Sequence, residues 1–452
     1  MIVPSPVDSP TDRLPARPRR PAPRDAEPMT VGRLTGVDAT RGLALLGMMA
    51  VHALYASGPD DDHPTLVYSL SAGRSATVFA VLAGLGIAFL TGRRRVPLGR
   101  PAREVAASLA ARALVIGAIG LALGYIDPEI ATVILPYYAV LFVIAVPLVL
   151  LPTPALVALG VAVAVGMPVL SNRLRAALPV HEANNHSFVD LATDPSGTLT
   201  ELLLTGEYPV LVWAAYVCVG IAIGRLRLSS PTVAAALLAG GAVVAAGAIG
   251  LSTYLLTAMG GRAAIEAAGT GRDAVSVAQI LDFGADGVTP TTSIWWLAVQ
   301  APHTGTPIDV LHTAGTAVAL LGALLLLGHV AVPALARMIA VLLAPLAAAG
   351  SMPLTLYTAH VAFMSSPLDV FDPATGFYVQ VITALLFAMA WRQAVGRGPL
   401  ESVAHLVATW ARRAVRGSGA GPSDTSRLSE VGPRGAAAAA SSLPSRTATR
   451  RP

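Results

Sequence analysis

Apolar runs of about twenty residues recur along this chain, and each is long enough to cross a ~30 Å hydrocarbon core. Backbone groups in lipid must be hydrogen-bonded within their own segment, so such runs are helices. The runs are continuous and do not alternate, which excludes a membrane β-barrel. Of 452 residues, 54% are hydrophobic and only 13% charged, about half the charged share of a soluble domain. The expected fold class is an all-α polytopic membrane protein with about ten transmembrane helices and both termini cytoplasmic.

The expected spans are 38–56, 73–90, 106–126, 130–151, 154–170, 208–226, 231–258, 310–330, 350–366 and 375–392, with a short cytoplasmic or interfacial helix over 331–349. Residues 1–33 read as a disordered basic arm, 34–415 as the membrane domain and 416–452 as a disordered tail. The loops holding Arg93, Arg94, Arg95, Arg100 and Arg103, and then Arg225 and Arg227, are basic and so cytoplasmic. The acidic loop 58–72 and the polar segments 171–207 and 259–309 face outward. The net charge of +5 reflects this sidedness, because the arginines gather in termini and loops of one side; no nucleic-acid partner is implied. All 31 Lys/Arg positions are arginine, which points to a GC-rich bacterial source and hence to an inner membrane. Cys218 is the sole cysteine, so an intrachain disulfide is excluded. No secretory signal is visible, so the first membrane helix is retained.

Charge inside a membrane helix is costly and calls for a reason. The first span, GVDATRGLALLGMMAVHAL, places Asp38 and Arg41 three apart, on one face, where they can pair. Arg41 and His52 are eleven apart, which is about 20° past three full turns and roughly 16 Å along the axis. One wall of the helix thus carries a fixed cation at the inner end and a titratable imidazole in the outer half. An anionic donor held by Arg41 could extend a thin arm to His52, a general base for an acceptor hydroxyl or amine. Acyl-coenzyme A has that shape. The plainer alternative is that Arg41 snorkels to the headgroups and His52 is an interfacial polar residue.

A second polar group gathers at the outer face. His63 follows Asp60, Asp61 and Asp62, whose negative charge should push its pKa upward, and Arg74 opens the second span. Glu207, Tyr208 and His303 lie at the same face, while Tyr357 and His360 sit inside the ninth span. The pair His181-Glu182 with His186 has the spacing HExxxH; histidines five apart leave a common helical face, so a zinc site is not expected. No GxSxG elbow, P-loop or GxGxxG before a helix occurs.

The opening R-x-x-GVDATRGLALLGMMAVH resembles the start of the heparan-α-glucosaminide N-acetyltransferase-like membrane family. GEYPVLVWAAYVCVGIAIGRL, APHTGTPIDVLHTAGTAVALLG, GSMPLTLYTAH and RGPLE are similar in turn, the last two to related bacterial membrane proteins that end in such a block. The resemblance runs from about Arg33 to Trp410. It implies transfer of an acyl group, acetyl above all, from cytoplasmic acyl-coenzyme A to a glycan, amino-sugar or lipid-linked acceptor on the far side, without a metal. It also implies a catalytic histidine between the first two spans, which His63 in DDDHPTLVYSLSAGR matches. Arg41 and His52 reproduce instead the Arg-x10-His pattern of the acyltransferase type 3 family. His52 and His63 are therefore the two candidate bases, with Asp38, Arg41, Arg74, Glu207, His303 and His360 as candidate substrate-binding residues. Arg74 would bind an acidic acceptor or stabilise an oxyanion. The rival is a small-solute transporter with Arg41, Arg74, His52 and His360 along its path; no internal repeat between halves supports it.

Overall fold

The computed structural model describes residues 31–54, 64–178, 184–271 and 275–417. Among them every regular element is helical. The longer helices are α1 (Val31–Ala53), α2 (Arg74–Leu90), α3 (Arg100–Leu123), α4 (Leu135–Leu148), α5 (Thr153–Arg175), α6 (Val210–Gly224), α7 (Pro231–Thr253), α8 (Pro307–Leu327), α9 (Pro333–Ala349), α10 (Pro353–Met364), α11 (Pro373–Ala394) and α12 (Pro399–Gly417). Six of them begin with proline, whose fixed φ suits the first turn and whose missing N–H is not needed there. The side chains of Ser230, Thr306 and Asp372 accept from the backbone N–H groups of Val233, Asp309 and Thr375 and so fix where α7, α8 and α11 start.

The centre of the bundle is α1, α2, α6 and α8, which bury Leu45, Met49, Leu82, Leu85, Ile221 and Leu321. Glycine lets these helices touch by their backbones. A Cβ on Gly220 of α6 would sit 2.0 Å from the Val81 carbonyl of α2, and one on Gly42 of α1 would sit 2.0 Å from the Leu346 carbonyl of α9. Helices α5, α7 and α11 form the outside and leave Val161, Val243 and Ile382 exposed, the apolar surface that lipid covers.

Arginines gather at the end where α2, α4 and α6 stop. Arg93 donates to the carbonyls of Gly224 and Leu226, Arg95 to Leu150, and Arg225 to Leu151 and Val149. These last-turn carbonyls have no helical partner of their own, and the cations also suit the negative end of the helix dipole.

Among the described residues, six helices are long and apolar enough to cross a membrane, or eight if each of two bent pairs counts as one span. The ten expected spans included four segments that do not qualify alone. Helix α1 carries Asp38 and Arg41, α4 has only 14 residues, and α6 and α10 are the second arms of bent pairs. Helices α9 and α10 meet at 68°, and the segment Pro195–Thr205 meets α6 at 55°. The expected short helix over 331–349 is α9. The arm 1–30, the tail 418–452, His63, His181 and Glu182 lie outside the described residues.

The RGPLE block has a structural explanation. Pro399 opens α12, and the Glu401 carboxylate reaches back to the start of α10, where it accepts from the N–H groups of Leu354 (2.7 Å) and Thr355 (3.2 Å) and from the Thr355 hydroxyl (2.6 Å). The amphipathic α12 lies along α3, where Arg412 and Arg416 pair with Glu104. A carboxylate supplied from another helix is thus the N-terminal cap of α10. Glu401→Ala should cost about 1–2 kcal/mol and lower the melting temperature of the purified protein, with Glu401→Gln in between. Equal melting of Glu401→Ala and wild type would show that the cap contributes nothing.

Candidate functional site

The last turn of α1 brings His52 against α10. Its Nδ1 lies 3.1 Å from His360 Nε2, and His360 Nδ1 lies 2.6 Å from Gln380 Oε1 on α11. The two imidazoles are parallel within 3° with centroids 5.3 Å apart. With the nitrogens that close, the rings must lie edge to edge in one plane, as an in-plane hydrogen bond requires.

His303 arrives from the loop before α8. Its backbone φ is +51°, a conformation that side chains other than glycine rarely adopt and that the surrounding contacts must hold. Nε2 accepts from the Gly73 N–H (3.1 Å), so the ring is neutral and Nδ1 carries its proton, 3.0 Å from Glu207 Oε1. Gly73 itself has φ +69°, and a Cβ there would be strained, so glycine is the residue that can present this N–H ahead of α2. Glu207 stands in the break between Pro195–Thr205 and α6. Tyr208 beside it meets Tyr137, Trp213 and His303 edge-on, with ring centroids 5.1–5.5 Å apart.

These groups face a string of cavities. The first, of about 290 Å³, is lined by His52, Tyr68, Glu207, Tyr208, Asp286 and His303 among others. It shares His52, Thr132, Tyr208 and His303 with a small neighbouring cavity of about 20 Å³, the waist, which is also lined by Met48 and Tyr357. Beyond the waist lies an apolar chamber of about 120 Å³ that shares Met48, Ile134 and Tyr357 with it and adds Ile116, Pro353 and Leu354. The Tyr357 oxygen accepts from the Ile134 N–H, which leaves the Tyr357 proton free to donate. A further apolar cavity of about 330 Å³ between α10 and α11 is lined by His360, Gln380, Phe363 and Phe387.

The structure thus brings His52, His303, His360 and Glu207 together. It places Asp38, Arg41 and Arg74 elsewhere. Arg41 donates to Asp38 (3.2 Å) and to the Gly350 carbonyl (2.9 Å), where it ties α1 to the end of α9. Arg74 donates to the Ser69 carbonyl (2.5 Å) and lies 3.4 Å from His312 Nε2, so it turns away from the cavities and into a buried network with His312. His186 lies 3.4 Å from Glu201 and 3.3 Å from Tyr137, and Asn185 bonds to the backbone of Ile126, Ala131 and Val133. Among the described residues no group of three or more His, Cys, Asp or Glu side chains could hold a metal ion. Sequence reasoning missed Gln380, although a lone glutamine in the apolar run FYVQVITALLF was a visible signal. Thr132 and Asp286 also went unnoticed, since nothing in their local sequence sets them apart.

Residues 33–259 match the family described as heparan-alpha-glucosaminide N-acetyltransferase, catalytic. No curated protein matches the chain.

Burial draws His303 from 6.5 down to about 4. Between those values the unfolded chain binds a proton that the folded chain does not, so stability falls as pH is lowered through that window. Thermal melts of the purified protein should show this loss below about pH 6.5, with a contribution on the order of 3 kcal/mol from His303 when complete, and His303→Gln should make the slope shallower. Parallel slopes for the two proteins would remove His303 as the cause.

Proposed function

The chain belongs to the heparan-α-glucosaminide N-acetyltransferase family, and from that premise we propose that it moves an acetyl group from cytoplasmic acetyl-coenzyme A to a glycan or amino-sugar acceptor at the outer face. The observation that carries this reading is the waist. A thin acyl-pantetheine arm suits the apolar chamber on one side of it, and a polar acceptor suits the wider chamber on the other, which carries Glu207, Asp286, Tyr68 and His303. The two meet at His52, which lines both the waist and the outer chamber.

In the proposed reaction the acceptor nitrogen or oxygen attacks the thioester carbonyl while His52 takes its proton. The tetrahedral intermediate then collapses, the C–S bond breaks, and the thiolate leaves with the proton that His52 returns. Tyr357 supplies a hydroxyl donor for the negative charge on the carbonyl oxygen. Glu207 and His303 hold the acceptor side. The arginine-rich end then faces the cytoplasm, with both termini there, and Arg41 lies towards the donor's phosphates. Ten spans result if α1 and α4 cross a bacterial inner membrane beside the six long apolar helices and the two bent pairs, each pair counted once. His63 belongs to the acceptor side of this scheme, as the second candidate base.

The test is labelled acetyl-coenzyme A with the purified protein in detergent. His52→Ala should bind the donor as wild type does and transfer acetyl groups about 100- to 10,000-fold more slowly, and Arg41→Ala should weaken donor binding. Full transfer by His52→Ala, with His63→Ala inactive, would move the base to the loop. No donor binding by folded wild type, with solute flux in proteoliposomes, would replace the reading with transport.

A further inference from the structure

His52 can act as a base towards the cavities only if its cavity-side nitrogen, Nε2, carries a lone pair. A neutral imidazole holds one proton, and which nitrogen has it is decided by the partner of the other. Here the decision is made two residues away. Gln380 Oε1 is a carbonyl oxygen with no proton to give, so at 2.6 Å the shared proton belongs to His360 Nδ1. His360 Nε2 is then bare. It faces His52 Nδ1 at 3.1 Å in the plane of both rings. Two lone pairs at that distance would repel, so His52 Nδ1 holds the proton and donates it. Nε2 of His52 is left bare on the side of the waist.

We infer that Gln380 is a positioning residue which, through His360, fixes both imidazoles in the Nδ1–H form and thereby leaves His52 Nε2 as the base towards the cavities. That His52 is the base rests on the acetyltransferase reading; the tautomer chain does not. Gln380 is buried, and its neighbours Phe377, Val379, Val381 and Ala384 on α11 are apolar. An amide buried there without partners would cost stability, which argues that the glutamine is present for its bond to His360. Helix α11 touches neither the waist nor the outer chamber, and the hydrogen-bonded route from Gln380 to His52 runs through His360.

The test is nitrogen NMR of histidine-labelled protein in lipid, which distinguishes protonated from bare ring nitrogens, with His52→Gln and His360→Gln used to assign the signals. In wild type both residues should show a protonated Nδ1 and a bare Nε2. A protonated Nε2 at His52 would overturn the inference without any variant at Gln380. Gln380→Met, close in shape but with no hydrogen-bonding group to spare, should turn the His52 signal into a mixture of tautomers. It should also slow acetyl transfer about tenfold with donor affinity unchanged. An unchanged His52 tautomer in a folded Gln380→Met protein would overturn the assignment to Gln380. The expected tautomers in a protein that neither binds donor nor transfers acetyl groups would leave the inference standing and remove the acetyltransferase reading instead.

Discussion

A polar group inside an apolar bundle has no water to turn to, and leaving it unpaired costs several kcal/mol. Most of the architecture answers that constraint. Ser252 of α7 bonds to the Ala298 carbonyl, Tyr216 of α6 to Thr313 of α8, Tyr138 of α4 to the Ala76 carbonyl of α2, and His360 of α10 to Gln380 of α11. Each bond joins different segments and is satisfied only when they stand at one depth and rotation. Dispersion between close-packed helices holds the bundle together; these bonds decide its register.

The helical class was legible because continuous apolar runs admit no other spanning structure. The gathering of arginines at one end was legible too, since arginine is costly in lipid and is useful against the open carbonyls of helix ends, and Arg93, Arg95 and Arg225 stand there. Glu207 and His303 were foreseen only as sharing an outer face with His52, and His360 only as lying inside a span. His52, Glu207 and His303 lie at a helix end or in loops and His360 within another helix, and no sequence spacing gives the distances between them. Arg74 shows the limit of the argument from cost: an arginine beside an apolar helix needs partners, and Ser69 and His312 meet that need without a ligand.

The number of spans was harder to read than their existence. Hydropathy treats each run as one rod, whereas here two rods are broken at Glu207 and near Gly350. Breaks of this kind are tolerated at membrane depth where they line a cavity, and Glu207 lines the outer chamber. The RGPLE block was legible as a family mark but not as a cap, because its partner, the start of α10, lies more than forty residues earlier in the chain.

The waist has a further consequence, concerning the bilayer's electrical seal. Neighbouring cavities inside a membrane protein are also places where ions and protons can enter. At about 20 Å³ the waist holds roughly one water, and the chamber beyond it is walled by Met48, Phe79, Ile116, Leu135 and Leu354, which give a hydrated ion nothing to replace its shell. An ion could pass the waist only by shedding its hydration shell beside His52.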